Sequence, residues 1–307
     1  MSITIGVDIG GSHITSAAVD IKNSKILSET YFRGSVNSKA SKDHIFKDWS
    51  KVINKTINSL NTNEPISIGF AMPGPFQYKE GRAMFKKNNK YESLYDVSVI
   101  EELIEYIIDK NIELRFLNDA SSFGVGGQLS SQFRENKRVV AITIGTGFGA
   151  AFLKDKCPII NDELVPEQGC LWNKYYKDSI ADDYFSTRWF ISSYSNLSGK
   201  TGIEGVKDIV TFDDIYSKQV FQEFSNNLAA FMFPYLLTFK ADLLLIGGNI
   251  AKSHKLFLPL ILEDWKRKGM EIPVQIIQKS EETNLIGAAY LFNENFWETI
   301  KDELPVI

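Results

Sequence analysis

The sequence contains few residues of the kinds that hold metal ions or cross-link a fold. Among 307 residues there are two cysteines, Cys157 and Cys170, and three histidines. The cysteines do not form a Cys-x-x-Cys pair and the histidines are scattered, so no zinc site is predicted. A chain of this length buries roughly 75% of its unfolded surface without disulfides. The cysteine count therefore excludes a small domain that depends on a disulfide framework.

Long apolar runs and clusters of basic residues are missing as well. The longest apolar run, residues 228–237, contains Pro234 and falls short of the ~20 residues of a membrane helix. The first residues lack a basic stretch followed by an apolar one, so we expect a cytoplasmic protein with no membrane partner. The net charge is −4, and Lys86, Lys87 and Lys90 are too few to form a basic patch. This composition argues against nucleic acid as a partner.

The residues that are present favour an α/β protein. The length favours two domains, and 44% of the residues are hydrophobic, which is enough for a substantial core. Alternating or continuous apolar residues predict strands at 3–7, 14–19, 66–71, 114–117, 139–144, 150–153, 242–246 and 274–277. Helical spacing predicts helices at 41–60, 98–108, 212–239 and 285–292. Two similar halves of this kind imply an α/β architecture with a cleft between them.

Each half begins with a strand, a glycine turn and a returning strand. The first turn carries Asp8, Gly10, Gly11 and Ser12, and the second carries Thr143, Gly145, Thr146 and Gly147. Glycine lets backbone N–H groups approach an anion, while a carboxylate at a strand end suggests a metal ion or its waters. Phosphate together with Mg²⁺ would satisfy both features. For the first hairpin taken alone, an ordinary turn with a capping aspartate is the alternative, which the second hairpin makes less attractive.

Two further observations concern the glycines. The second hairpin does not match the dinucleotide fingerprint, because that motif requires a helix after its glycines and a strand follows here. A Rossmann dehydrogenase is therefore disfavoured. A third glycine turn, Gly247-Gly248-Asn249, ends a buried strand and suits an adenine or ribose lying against bare backbone. By itself that turn is a weak signal.

Asn118 and Asp119 stand at the carboxyl end of a predicted strand, where open α/β sheets bind ligands. An exposed aspartate there can accept the proton of a substrate hydroxyl that attacks phosphorus. With an ordinary pKa near 4 it is a weak base, but orienting the hydroxyl suffices for a loose transition state. The alternative is that Asp119 caps a helix starting at Ala120, and both roles are compatible.

Taken together, these segments resemble the ROK family of sugar kinases (repressor, open reading frame, kinase). The segments that carry the resemblance, in order, are Asp8-Ile-Gly-Gly-Ser, Pro73-Gly-Pro, Asn118-Asp119-Ala120, Thr143-Ile-Gly-Thr-Gly-Phe-Gly, Leu245-Ile-Gly-Gly-Asn and Leu285-Ile-Gly-Ala-Ala-Tyr. They cover nearly the whole chain. The resemblance implies two actin-like (ribonuclease H-like) ATPase domains flanking a cleft, and ATP-dependent phosphorylation of a hexose or an N-acetylated hexosamine.

The resemblance also implies a role for each matched residue. Asp119 is expected to be the catalytic base, Asn118 a sugar ligand, and Asp8 the residue that holds Mg²⁺ through water. The two hairpins are expected to bind the phosphates of ATP, and Gly247, Gly248 and Asn249 the adenosine. The implied domains are residues 1–118 and 119–292, with residues 293–307 packing back on the first. A homodimer is implied as well.

The chain departs from the family pattern at several positions. The family's Glu-x-Gly-His element, whose end residues bind sugar hydroxyls, reads Glu167-Gln168-Gly169-Cys170 here. Cysteine cannot replace imidazole as a strong hydrogen-bond partner. A later sugar-binding glutamate corresponds to Asp182, and the family's Thr-Lys after the first glycines reads Ser12-His13. The cysteine-rich zinc motif of many members is missing, so no structural zinc is expected.

Two rival functions stay open. The first is a sugar-binding regulatory protein that has lost catalysis, which Cys170 suggests and which intact Asp8 and Asp119 oppose. Family repressors carry an N-terminal helix-turn-helix, and the first strand here begins at Ile3, which leaves no room for one. The second rival is an actin-like or chaperone-like ATPase, which would have no use for the Asn118-Asp119 pair.

Overall fold

The computed structural model describes residues 3–60, 65–87, 89–130 and 132–305. The strands, in chain order, are β1 Ile3–Ile9, β2 His13–Asp20, β3 Lys25–Ile26, β4 Phe32–Ser35, β5 Ile66–Met72, β6 Phe76–Gln77, β7 Arg82–Ala83, β8 Val97–Ser98, β9 Ile112–Asn118, β10 Arg138–Ile144, β11 Phe148–Lys154, β12 Cys157–Pro158, β13 Tyr175–Tyr176, β14 Ser179–Ile180, β15 Leu243–Gly247 and β16 Val274–Ile276. The α-helices are α1 Lys42–Leu60, α2 Val99–Leu103, α3 Asp119–Ser130, α4 Ala181–Tyr184, α5 Thr187–Ser198, α6 Val206–Phe212, α7 Ile215–Phe239, α8 Leu258–Arg267, α9 Ser280–Ala289 and α10 Glu294–Ile300.

The chain folds into two compact units. Unit 1 comprises Met1–Arg134, Lys156–Ile160 and Lys279–Ile307, and unit 2 comprises Glu135–Asp155 and Asn161–Gln278. The division therefore falls after α3, whereas the resemblance implied a boundary between residues 118 and 119. The reason is that α3 packs against α9 and against β5 and β9, all of which are in unit 1. For the same reason the chain returns to unit 1 before α9 and not only at residue 293.

Unit 1 is built on a mixed sheet with the strand order β3-β2-β1-β5-β9, and β4 pairs with β2 beside β3. β1 and β2 form an antiparallel hairpin, while β1, β5 and β9 run parallel. Helix α1 packs against β2 and β4 through an apolar face, because Ile45, Trp49 and Ile53 recur at helical spacing and are fully buried. The parallel strands place the ends of β1 and β9 at one edge of the sheet.

Two glycines allow α3 and α9 to approach each other closely. A Cβ added to Gly126 of α3 would lie 2.0 Å from the carbonyl oxygen of Thr283, and one added to Gly287 of α9 would lie 1.9 Å from that of Ser122. No real side chain tolerates such distances. The small residues therefore set the position of α9, which also packs on β1 and β5.

Unit 2 repeats the same plan. Its strands in the second sheet follow the order β11-β10-β15-β16, with an antiparallel β10–β11 hairpin and parallel β10, β15 and β16. The long helix α7 packs against α5 and α8. Aromatic rings fill much of this core, among them Phe185, Phe190 and Phe224. The duplicated hairpin that the sequence predicted is thus confirmed in both units.

Three predicted helices have different bounds in the structure. The helix predicted at 212–239 is interrupted at Asp213 and restarts as α7, because Asp214 accepts a hydrogen bond from the Ser217 backbone N–H at 2.8 Å and caps it. The helix predicted at 98–108 ends at Leu103 and continues as a 3-10 turn. The helix predicted from residue 285 already begins at Ser280. Within the described ranges, no helix combines the length and apolar content that a membrane span requires.

Candidate functional site

Asp8 lies near the carboxyl end of β1 in unit 1. Its carboxylate is only 6% exposed, and its Oδ1 accepts a hydrogen bond from Nδ2 of Asn284 at 2.9 Å. The pKa of Asp8 is raised to about 7, mainly by burial, and the negative charge of Asp119 acts in the same direction. The repulsion between the two carboxylates means that they belong to one electrostatic environment within unit 1. An added cation would relieve it.

The oxygen atoms around Asp8 suit a hydrated magnesium ion. Besides the carboxylate, Oδ1 of Asn284 is buried and has no hydrogen-bond partner among the described residues. Within the same residues, no group of three or more His, Cys, Asp or Glu side chains is arranged to hold a metal ion. Mg²⁺ prefers hard oxygen ligands, usually keeps several waters and needs only one or two carboxylates from the protein. The residues present therefore fit Mg²⁺.

Asn118 is the last residue of β9 and caps α3. Its Oδ1 accepts hydrogen bonds from the backbone N–H groups of Ala120 at 3.0 Å and Ser121 at 3.3 Å. Its Nδ2 donates to the hydroxyl of Tyr78 at 3.1 Å. The capping role that we considered for Asp119 thus belongs to Asn118, because Asp119 is already the first helical residue.

Asp119 is partly buried rather than exposed, which corrects the sequence-based expectation. Burial raises the pKa of its carboxyl above the ordinary value. Two smaller effects lower it: a hydrogen bond of 2.8 Å that Asp119 accepts from the Ala120 N–H, and the positive charge of Lys90. The expectation of an ordinary pKa near 4 was therefore also wrong. A raised pKa makes the carboxylate a better proton acceptor near neutral pH.

The start of α9 is tied to the first hairpin by an ionic cluster around Glu281. Its Oε1 lies 3.3 Å from Nε2 of His13 and 3.2 Å from Nη2 of Arg33, and its Oε2 accepts from Oγ1 of Thr15 at 3.3 Å. The hydrogen bond from His13 is the main reason that the pKa of Glu281 is lowered. This cluster positions the helix turn that carries Asn284.

In unit 2, Asp182 lies beneath the turn of the second hairpin. Its Oδ1 accepts the backbone N–H of Phe148 at 2.7 Å, and its Oδ2 accepts from Nη2 of Arg188 at 2.7 Å. Arg188 also donates from Nη1 to the carbonyl of Thr146 at 3.1 Å. A Cβ on Gly147 would come within 2.9 Å of Asp182 Oδ1. Both carboxylate oxygens thus support the hairpin.

The structure brings the third glycine turn next to the second hairpin. Gly247 pairs with Thr143 at the end of the parallel β10–β15 ladder. Gly248 has φ +91°, and a Cβ there would lie 2.3 Å from the carbonyl oxygen of Ile144, so only glycine fits. Asn249 follows, and its Oδ1 accepts from Nζ of Lys252 at 2.9 Å. The residues expected to contact phosphate and adenosine in unit 2 are therefore neighbours.

Glu167 begins a short 3-10 turn in unit 2, and Cys170 follows its last residue. Glu167 is exposed, whereas Cys170 is buried, with its Sγ 3.5 Å from the Glu167 carbonyl oxygen and 3.7 Å from Oδ1 of Asn173. Burial raises the pKa of the Cys170 thiol. A buried thiol with a raised pKa is a poor nucleophile.

The comparison with known families shows to which family the chain belongs. The profile described as "ROK family" matches residues 4–295. This chain belongs to the ROK family. The family assignment that the sequence motifs suggested is thereby confirmed.

Curated ROK proteins with different functions are similar to the chain. It is 20% identical to the xylose repressor of Bacillus spizizenii, over 97% of this chain and 79% of the repressor. It is 22% identical to the N-acetyl-D-glucosamine kinase of Haemophilus influenzae, over 94% of this chain and 98% of the kinase. Both kinases and repressors are thus found among ROK relatives at similar identity.

Solved ROK structures show the fold. A ROK glucokinase from Streptomyces griseus, crystallised with glucose and AMPPNP, matches with a TM-score of 0.71 and 19% identity, over 95% of this chain and all of that one. The chain therefore has the two-domain actin-like ATPase fold of ROK sugar kinases, as expected from the motifs. Each unit has the hairpin-plus-parallel-strand plan described above.

Several residues of this ROK site escaped sequence reasoning. Asn284 directly precedes the Leu285-Ile-Gly-Ala-Ala segment, but the predicted helix began too late to place it on the α9 turn that faces Asp8. Lys90 was considered only as part of a lysine group. Arg188 carried no signal, because nothing in the local pattern shows that it would reach the Thr146 carbonyl.

Proposed function

We propose that this ROK protein is an ATP-dependent sugar kinase that phosphorylates a hydroxyl of a hexose or an N-acetylated hexosamine. The observation that carries the proposal is the pair of carboxylates, Asp8 and Asp119, in unit 1. Both have raised pKa values, and the charge of Asp119 acts on Asp8. A protein that only bound sugar would have no use for a buried acid whose ionisation is opposed by a second, partly buried acid.

Asp119 is the proposed catalytic base. It would accept the proton of the attacking sugar hydroxyl as the new oxygen–phosphorus bond forms, and its raised pKa suits that task. Asn118 is the proposed sugar ligand beside it. The Oδ1 of Asn118 is occupied by the helix cap and one N–H of Nδ2 donates to Tyr78, so the second N–H of Nδ2 is the donor proposed for a sugar hydroxyl.

The phosphates of ATP are assigned to the glycine turns. In unit 1 the backbone at Gly10, Gly11 and Ser12 would donate N–H groups, and in unit 2 the backbone from Thr143 to Gly147 would do the same, with Gly247, Gly248 and Asn249 towards the adenosine. Asp8 and Asn284 would hold Mg²⁺ through water. When bound, that ion supplies positive charge that offsets the charge of the phosphates.

Glu167 is the proposed sugar ligand from unit 2, since its side chain is exposed. The sugar-binding role expected for Asp182 stays a prediction. Both of its oxygens support the hairpin turn, which favours a role in positioning the phosphate-binding backbone. We keep the homodimer as a proposal that sedimentation measurements would test.

The decisive experiment is sugar-dependent release of ADP, screened against hexoses and N-acetylated hexosamines. Asp119→Asn should lower kcat by about 10²- to 10⁴-fold, the usual contribution of a general base, while sugar still binds. Asp302→Asn is the matched control, because Asp302 is 69% exposed and forms a surface ion pair with Lys79. Retained turnover in Asp119→Asn would show that the base is another residue.

A sugar-binding regulatory protein is the second candidate. Two observations favour it: Cys170 stands where the family usually has histidine, and the xylose repressor is among the similar proteins. Calorimetry separates the two functions. A regulator would bind a sugar without releasing ADP in the presence of ATP and Mg²⁺, whereas the proposed kinase would do both.

A further inference from the structure

The side chain of Lys90 lies over the glycine turn of the first hairpin. A Cβ built on Gly11 would be 3.0 Å from Cε and 3.2 Å from Nζ of Lys90. The ammonium group is therefore held against the backbone that is proposed to bind phosphate. The positive charge of Lys90 also lowers the pKa of Asp119. One cation thus faces both the glycine turn and the proposed base, all within unit 1.

The next residue explains why Lys90 stays in this place. Tyr91 is fully buried and donates a hydrogen bond from its hydroxyl to the carbonyl oxygen of Gly10 at 2.5 Å. Its backbone N–H donates to the carbonyl oxygen of Ser38 at 2.7 Å, and its ring packs edge-on against Trp49. The loop is therefore fastened directly to the hairpin turn.

The backbone of this loop is strained, which fits a functional position. Tyr91 has φ +55°, in the left-handed region that bulky residues avoid, and Lys87 and Asn89 also have positive φ values. Strain of this kind costs on the order of 1–3 kcal/mol per residue and persists where the surroundings enforce it. Here the hydrogen bonds of Tyr91 enforce it.

Lys90 has no counterion among the described residues. Among the described residues it forms no ion pair within 4.0 Å and no side-chain hydrogen bond, and it is exposed to solvent. Lys86, by contrast, places its ammonium group over the ring of Tyr95, 5.0 Å from the ring centroid. Lys90 thus places an ammonium group beside Gly11 that has no hydrogen-bond partner within the described part of the chain.

We propose that Lys90 is a catalytic residue that contacts the phosphoryl group in transit from ATP to the sugar. The inference rests on the kinase function proposed above. As the sugar oxygen forms its bond to the γ-phosphorus, the bond to the β–γ bridging oxygen breaks, ADP leaves with that electron pair, and the hydroxyl proton passes to Asp119. Lys90 takes no part in the proton transfer, and its positive charge balances the charge of the transferred group.

The position of the ammonium group favours phosphate over sugar as its ligand. A sugar bound by Asn118 is neutral at its hydroxyls and gains little from a cation, whereas the γ-phosphate carries most of the negative charge in the reaction. Lys90 also lies over Gly11, the turn expected to bind phosphate. A lysine serves as a point charge for phosphate without requiring a fixed bidentate geometry.

The test compares Lys90→Ala and Lys90→Arg with Lys87→Ala, an exposed neighbour that has no such contact. Lys90→Ala should reduce kcat about 100-fold, comparable with the loss of one preorganised donor, while the KM for sugar changes less than about twofold. Lys90→Arg should retain more activity than Lys90→Ala. Circular dichroism and melting temperature of each variant would verify that it is folded.

Binding supplies a readout that does not depend on turnover. Lys90→Ala should bind a non-hydrolysable ATP analogue several-fold more weakly than the wild type but bind ADP equally well, because only the analogue carries the γ-phosphate. Equal losses for both nucleotides, or no loss for either, would overturn the assignment.

The kinetic outcomes also separate the inference from the proposed function. If Lys90→Ala turns over like Lys87→Ala, or raises only the KM for an anionic sugar, Lys90 is not a phosphoryl contact. If the wild type releases no ADP with any sugar, the proposed function fails, and the nucleotide-binding comparison still decides whether Lys90 meets the γ-phosphate.

Discussion

Asn284 donates a hydrogen bond from its side-chain amide to Oδ1 of Asp8 across 2.9 Å, and so joins the first turns of α9 to the end of β1. The bond lowers the pKa of Asp8, but burial has the larger effect and leaves the pKa at about 7. Without a bound cation, the folded protein therefore disfavours the ionised form of Asp8. That balance makes the stability of the protein depend on pH.

Asp8→Asn should stabilise the metal-free protein at alkaline pH. The folded-state pKa of about 7 lies above the unfolded value of 3.8, so the stability contributed by the protonated carboxyl is present below pH 4 and lost as pH rises through 7. Its upper bound is about 4 kcal/mol at 1.36 kcal/mol per pKa unit. Melting temperatures in EDTA at pH 5 and pH 8 would check this. A difference between variant and wild type that does not grow with pH would contradict it.

The activity of the proposed kinase should show an acid limb that reflects Asp119. Its pKa is raised by burial, so the ionised form that accepts a proton is lost as pH falls through a value above the ordinary 3.8. We therefore expect kcat to decline at a higher pH than an unperturbed aspartate would cause. The measurement is sugar-dependent ADP release against pH. A profile that stays flat down to pH 4 would be inconsistent with Asp119 as the base.

Asp182→Ala should weaken ATP binding more than sugar binding. The change frees the Phe148 N–H and the Arg188 guanidinium, and thereby releases the turn that carries Thr146. Losing a charge-assisted hydrogen bond of this type costs about 1.5–3 kcal/mol, so we expect the KM for ATP to rise about tenfold or more. Separate KM values for ATP and sugar provide the check.

The matched control for Asp182 is its exposed neighbour. Asp183→Ala removes a carboxylate that is 50% exposed and lies 3.8 Å from Arg188, too far for a strong bond. It should leave both KM values near those of the wild type. A rise in the sugar KM alone for Asp182→Ala would instead support the sugar-ligand role that the family resemblance implied.

Gly126→Ala should destabilise the protein strongly. The new Cβ would lie 2.0 Å from the carbonyl oxygen of Thr283, so α3 and α9 must separate. Overpacking of this kind costs about 1–3 kcal/mol or more, which urea denaturation would detect as a lower midpoint. Gly205→Ala is the control, because nothing lies within 4 Å of its Cβ position. Equal urea midpoints for the two variants would show that α9 moves away from the new methyl group at little cost in stability.

Much of the architecture was readable from residue order. Ile3, Ile5 and Val7 alternate before Gly10 and Gly11, and this local pattern suffices for a strand and a turn because side chains alternate along β-structure. The same pattern around Gly145 showed the duplication, and the ordered motifs identified the ROK family. Helix ends were less accurate, since the cap at Asp214 depends on where one polar side chain turns back to the backbone.

The site was only partly readable in the same way. The positions of Asp8 and Asp119 followed from the motifs, but their raised pKa values could not, because desolvation depends on everything packed around a group and not on its neighbours in sequence. The expected exposure of Asp119 was wrong for that reason. Likewise, the residue that caps α3 is Asn118 and not Asp119, because the helix begins one residue earlier than expected.

The order of residues alone predicted both glycine hairpins, the main strands of each sheet and the family, because these depend on local backbone preferences and on apolar periodicity. Folding decided that Asn284 reaches Asp8, that Lys90 lies over Gly11, and that Asp182 supports a hairpin. Each of these contacts joins residues distant in sequence, and their geometry comes from close packing, which no local pattern encodes.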